Sequence, residues 1–265
     1  MTEQALPYAW PQIGDIVQNH DGGRPPPVDD LRGQAFDWTT DTHERCRLVF
    51  DGKGQATWQF ADTPPQPVAP EVFAVRPGLY FVDFIAAHDR HCSHSLVLDV
   101  RQGRALHIEV HAPAQDVPAG LLERIAQRGS WSAVDVVFRQ GRWAEAAPAF
   151  TRTTALVGQH YRYRYSDTHV YDHIYLSPRY YSWFCHHGPD AGLGDFEECD
   201  YLLIAPGLVL VCWREKLIPC VGVTIEDLDA MRSIGKIFGA DAYTHETANR
   251  TVGAEMSLVA TFSSP

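Results

Sequence analysis

The sequence predicts an all-β protein made of two tandem antiparallel β-barrels that arose by internal duplication. Three observations carry this. Apolar and polar residues alternate at period two through most of the chain. Turn signals separate the alternating runs at intervals of roughly 8–12 residues. Four segments of the first half return in order in the second half. Leu31–Trp38 (LRGQAFDW) matches Leu156–Tyr163 (LVGQHYRY), and Asp41-Thr42-His43 matches Asp167-Thr168-His169. Pro77–Phe84 matches Pro206–Trp213, and Trp131–Phe138 matches Met256–Phe262, the offset staying between 125 and 129 residues. A period this long means two copies of a domain rather than a solenoid of short repeats.

The elements follow in chain order. Residues 1–30 contain Gly22-Gly23-Arg24-Pro25-Pro26-Pro27. Proline has no N–H to give to a ladder, so this stretch is expected to be an arm lying over the first barrel. The first barrel spans 31–138. In Arg45–Phe50, Cys46, Leu48 and Phe50 share a face. After the Asp51-Gly52-Lys53-Gly54 turn, Ala56, Trp58 and Phe60 do the same, which is a hairpin signature. Strands are expected at Tyr80–Ala86, Ser95–Val100 and Ala105–Val110, with turns at Pro77-Gly78 and Gln102-Gly103. Leu121–Gln127 is expected to form two helical turns. A linker occupies 139–154, and the second barrel 155–265. There Tyr161, Tyr163 and Tyr165 point one way and His160, Arg162 and Arg164 the other. Leu208–Trp213 reads as an apolar strand, and Ile225–Met231 as a short helical segment.

A small antiparallel sheet removes its edges by closing. About eight strands leave an interior that either fills with side chains or holds one small ligand. The second copy favours a ligand. Tyr161, Tyr163 and Tyr165, then Tyr171, His173 and Tyr175, then Trp183, form an aromatic stripe with polar tips. Such a lining suits a small molecule. The matching face of the first copy, with Phe36, Trp38, Leu48 and Trp58, is more apolar. Glu215 follows Trp213 at the end of a strand. By alternation it shares the face of Val209 and Val211, where a carboxyl would gain an elevated pKa and could move protons; the alternative is a rim ion pair with Arg214 or Lys216.

His88, His91, Cys92 and His94 invite a metal reading. The segment reads as the join between two strands, and no defined ligand set follows from its spacing, so no metal is expected there. No cofactor is expected. Sequence motifs for nucleotide phosphate loops, Rossmann sites, α/β-hydrolase elbows and zincins do not occur. With 33 Asp+Glu against 22 Lys+Arg and a formal charge of −11, the chain is a poor partner for nucleic acid or an anionic membrane. The N-terminus lacks the basic and apolar regions of a signal peptide, and the six cysteines form no CxxC pair. The expected location is the cytoplasm.

LRGQAFDW, PGLYFVDF and SLVLDVRQG resemble the N-terminal domain of the MoaF family; LVGQHYRYRY and CWREKLIPCVGV resemble its C-terminal domain. The resemblance implies two calycin-like or lipocalin-like barrels, a small-molecule ligand, and, through the family's name, an association with molybdenum cofactor biosynthesis. Two functions stand side by side. One is a binding protein for a small aromatic ligand held by Tyr161, Tyr165, Tyr171, Tyr175, Trp183 and Trp213. The other is a cofactor-independent acid–base enzyme, a lyase or decarboxylase, hydratase or isomerase acting on a phenolic metabolite through Glu215, Tyr163 and His173. The partner is the small molecule, and a homodimer is compatible with either function.

Overall fold

The computed structural model describes residues 13–16, 18–20, 22–52, 54–115, 121–241 and 244–262. The start of the expected arm and Lys53 of the expected hairpin turn lie outside them. After α1 (Ile13–Ile16), the first sheet comprises β1 (Ala35–Thr40), β2 (Arg45–Phe50), β3 (Ala56–Phe60), β4 (Gln66–Val68), β5 (Glu71–Arg76), β6 (Leu79–Ala86), β7 (Asp89–Asp99), β8 (Arg104–His111) and, after α2 (Leu121–Arg128), β9 (Asp135–Arg142). The second comprises β10 (Thr151–Arg152), β11 (Gln159–Ser166), β12 (His169–Tyr175), β13 (Tyr180–His187), β14 (Gly194–Ala205), β15 (Leu208–Arg214), β16 (Cys220–Asp227), β17 (Arg232–Ala240) and β18 (Thr247–Thr261).

The duplication is visible bond by bond. Gly33 N donates to Phe50 O, and Gly158 N to Tyr175 O. The Gln34 side chain donates to Asp30 O at 2.8 Å, and that of Gln159 to Ala155 O at 2.9 Å. Val100 N bonds Gly78 O as Leu228 N bonds Gly207 O, and both glycines have φ near +70° (75° and 69°). The turn needs that left-handed backbone, which L side chains rarely adopt. β1 pairs with β9 as β11 pairs with β18, so each copy brings its last strand back beside its first.

The two copies differ in closure. β14 pairs with β13 along its first half (Tyr180 opposite Glu198) and with β15 along its second (Leu203 opposite Val209). This one long strand closes β11–β18 into an eight-stranded barrel, with β10 added on β14. In the first copy the corresponding stretch is broken into β4, which pairs with β3, and β5, which pairs with β6. Pro64, Pro65, Pro67 and Pro70 crowd that stretch. They cannot donate to a ladder, so the strand cannot run continuously. The first sheet is therefore a curled half-barrel, and the expectation of two closed barrels is corrected.

Three local expectations change as well. Ile225–Met231 is not helical: β16 runs through Asp227 and the chain reverses over residues 228–231, with Met231 at φ 52°. Every residue of β16 is buried. One face lines the barrel and the other meets the first sheet, and such a doubly covered strand loses its alternation. The segment from His88 to His94 is not a loop, because β7 begins at Asp89. The arm lies over both sheets: Val28 N donates to Val72 O at 2.8 Å and Arg24 pairs with Glu71 at 3.2 Å on the first, and His20 reaches the second. His20 packs on Tyr165, His169 and Tyr171 with ring centroids 4.6, 4.9 and 5.6 Å away. Its carbonyl accepts from Gly253 N at 2.9 Å. Gly22 and Gly23 allow the close approach: a Cβ there would fall 2.4 Å from Tyr165 O and 2.8 Å from the Ala254 backbone.

The sheets share a core of their own. Phe73, Phe81, Val97 and Ile108 from the first pack with Leu208, Leu210, Val223 and Phe238 from the second. Within it Lys236, with no exposed surface, bridges to Asp83 at 2.9 Å. Asp83 also accepts from Ser95 at 2.9 Å and from Asn249 at 2.6 Å.

Candidate functional site

The second barrel's interior gathers the aromatic stripe. Register places Tyr161 opposite His173 and Tyr163 opposite Tyr171, while His173 faces Trp183 and Tyr175 faces Tyr181. Directly opposed residues share a face, so alternation on three neighbouring strands turns these rings inward together. The result is a small internal cavity of about 60 Å³. Tyr165, Tyr171, His173, Trp183, Trp213 and Glu215 line it, as the sequence suggests. Tyr161, Tyr163 and Tyr175 face the same interior but do not touch the cavity. The Tyr163 and Tyr175 hydroxyls bond each other at 2.6 Å, and the Tyr161 hydroxyl donates to Gln159. Burial drives the Tyr163 and Tyr175 phenols well above their ordinary value, so both stay neutral.

Glu215 is not a rim ion pair. Lys216 pairs with Asp195 instead, and Arg214 with Asp200 at 2.6 Å. The Glu215 carboxylate accepts from Leu217 N at 2.5 Å and from Ile218 N. Its carboxyl oxygens and those of Asp195 and Glu197 come within 4.8 Å of one another. Burial, then the neighbouring Glu215 charge, raises Glu197 far above the carboxylate range; burial raises Glu215 too. Two buried carboxyls this close resist ionising together, which favours the protonated form of Glu197. The Trp213 indole packs against the backbone of residue 222 because that residue is glycine: a Cβ there would sit 2.0 Å from the indole.

Four further groups are at or beside the cavity and escaped the sequence reading. His20 comes from the arm, 140 residues or more from the strands it touches. Asp190 lies in the turn after β13 and accepts from the Tyr171 hydroxyl at 2.9 Å. Glu197 was legible as an inward position only once β14 was placed. Glu226, inside the barrel on β16, accepts from Thr224 at 2.7 Å; burial lifts its carboxyl to about 7. Burial also depresses His173 to about 3, so its imidazole is neutral and serves as a hydrogen-bonding wall, 4.2 Å from the Tyr163 ring.

The site is therefore an aromatic box carrying carboxyl groups, with no Lys or Arg among its described lining residues. Comparison with known proteins gives the family. The MoaF N-terminal domain matches residues 8–114 and the MoaF C-terminal domain residues 150–262. "Protein MoaF" of Klebsiella aerogenes is 34% identical over 208 residues, covering 78% of each chain. The chain belongs to the MoaF family. In MoaF terms the cavity lies wholly within the C-terminal domain's barrel, while its His20 wall comes from the segment matched by the N-terminal domain. A solved structure described as "a putative beta-lactamase from Burkholderia vietnamiensis" overlaps 41% of the chain and all of its own, at 20% identity and a TM-score of 0.35. That likeness is too slight to inform the MoaF site. Among the described residues no helix is long and apolar enough to cross a membrane.

Proposed function

We propose that this MoaF-family chain binds one small aromatic molecule, neutral or cationic, inside the C-terminal barrel. The observation behind this reading is the pairing of aromatic faces with carboxyl groups. Tyr165, Tyr171, Trp183 and Trp213 offer ring faces to a planar or cationic group. Asp190 and the Glu197–Glu215 pair offer acceptors and negative charge. An anionic ligand would meet those carboxyls with no lining cation to offset them. For that reason the molybdenum cofactor association suggested by the family's name, which would bring a phosphorylated pterin, gains no support from this cavity. All six cysteines are free and buried, which supports a reducing cytoplasmic setting.

At about 60 Å³ the cavity holds a few waters. A closed apolar cavity needs roughly 150 Å³ to take a benzene ring. Ligand entry thus requires a wall to move. His20 is the wall that belongs to the arm and not to the barrel. Its removal is expected to speed association and dissociation alike, each about tenfold, while changing Kd less, since opening a gate lowers the same barrier in both directions. Stopped-flow quenching of tryptophan fluorescence on His20→Ala checks this.

The ligand reading is tested with three phenols of one size: p-cresol (neutral), 4-hydroxybenzylamine (cationic) and 4-hydroxybenzoate (anionic). Titration calorimetry is expected to show the anion weakest by at least about tenfold, a difference of roughly 1.4 kcal/mol. Equal or tighter binding of the benzoate refutes the charge argument. The raised Glu197 and Glu215 carboxyls favour a second reading, acid–base catalysis on such a ligand. Glu215→Gln separates the two. An enzyme loses turnover while keeping most of its ground-state binding, whereas a binding protein turns nothing over in either form and loses affinity for 4-hydroxybenzylamine more than for p-cresol.

A further inference from the structure

The first half-barrel carries a second cluster of chemical groups, at its open rim and away from the aromatic cavity. β7 and β8 place Cys92 directly opposite His111, and His94 opposite Glu109. The Cys92 sulfur, a Glu109 oxygen and a His111 nitrogen all come within 4.8 Å of one another. Ligands on a tetrahedral zinc ion stand about 3.3–3.6 Å apart, given its metal–nitrogen and metal–sulfur bond lengths. The three groups need to shift only slightly to meet one ion. We propose that Cys92, Glu109 and His111 form a binding site for a zinc-class transition-metal ion.

The surroundings prepare each donor. Arg139 holds Glu109 Oε2 at 3.2 Å, which leaves Oε1 facing His111 at 2.7 Å. His94 Nε2 lies 3.6 Å from the Cys92 sulfur, and its Nδ1 lies 3.0 Å from His107 Nε2. His107 Nδ1 is buried and makes no hydrogen bond. Two tautomer chains fit these contacts, and the one that leaves a bare lone pair at buried His107 Nδ1 costs less than the one that orphans an N–H there. His107 donates from Nε2 to His94 Nδ1, and His94 donates from Nε2 to sulfur, leaving the bare lone pair at His107 Nδ1. An N–H aimed at sulfur stabilises a thiolate, and such outer partners orient metal ligands. Three protein donors with sulfur and nitrogen among them suit zinc or cobalt better than calcium or magnesium, which take oxygen. His111 is half-exposed, so an ion has an approach from solvent and a fourth coordination position open to it.

The test uses the full-length chain stripped with chelator. Cobalt(II) is expected to bind at one equivalent with a sulfur-to-cobalt charge-transfer band, and zinc to bleach that band. Cys92→Ser is expected to lose the band. His94→Phe, which removes only the supporting N–H, is expected to weaken binding about 10–100-fold. A readout on the unaltered chain guards against misfolded variants: zinc is expected to protect Cys92 from alkylation, followed peptide by peptide in a mass spectrometer. No cobalt uptake at millimolar concentration, uptake without the sulfur band, or alkylation of Cys92 at the same rate with and without zinc would each overturn the proposal.

Discussion

Lys236→Met is expected to lower the unfolding free energy by about 3–5 kcal/mol, the usual cost of removing one partner from a buried ion pair. Lys236 has no exposed surface and Asp83 only 2%, and they meet at 2.9 Å between the two sheets. The methionine fills the aliphatic space but, among the described residues, leaves the Asp83 carboxylate with only Ser95 and Asn249 as donors. Adding Asp83→Leu is expected to recover most of the loss, because the remaining charge is then gone. Urea unfolding of both variants measures this. A single-variant loss below about 1 kcal/mol would place the pair among the weak, solvated ones. The seam also joins the copies, so the unaltered chain is expected to unfold in one transition.

Glu226→Gln is expected to flatten part of the pH dependence of stability. The Glu226 carboxyl rises from 4.5 to about 7 on burial. As pH increases past the lower value, the unfolded chain sheds this proton while the folded chain keeps it until near the higher one. The folded state binds more protons in that window, so stability falls across it and levels off above. At about 1.36 kcal/mol per pKa unit, the fall amounts to about 3 kcal/mol. Glutamine cannot titrate. The variant is expected to match the parent near pH 4.5 and exceed it by up to about 3 kcal/mol at pH 8. Subtracting the two curves removes the contribution of Glu197 and Glu215, whose raised values tilt stability in the same direction. A constant difference between the curves at every pH would remove Glu226 as the cause.

Much of the site was legible because strand alternation is a local property. Tyr165, Tyr171, His173, Trp183 and Trp213 sit on faces that period two assigns without knowledge of the fold. Glu215 followed from the same rule, although its partner Glu197 did not. The two come together only because β14 and β15 pair in one register. The cluster at Cys92 shows the same division. The sequence showed histidines and a cysteine close along the chain. The structure replaces His88 and His91 with His107, Glu109 and His111, which come from the neighbouring strand.

The sequence by itself determined the β architecture, the duplication and the inward aromatic stripe. Each depends on short-range periodicity or on direct likeness between segments. Tertiary structure alone decided that one sheet closes while the other stays open, that the arm also reaches the second barrel, and that the Glu197 and Glu215 carboxyls come together. Those outcomes depend on contacts between residues far apart in the chain. Closure turns on whether one edge segment can run unbroken past prolines, and the upward shift of the Glu197 and Glu215 carboxyls turns on the distance between them in a medium that water does not reach.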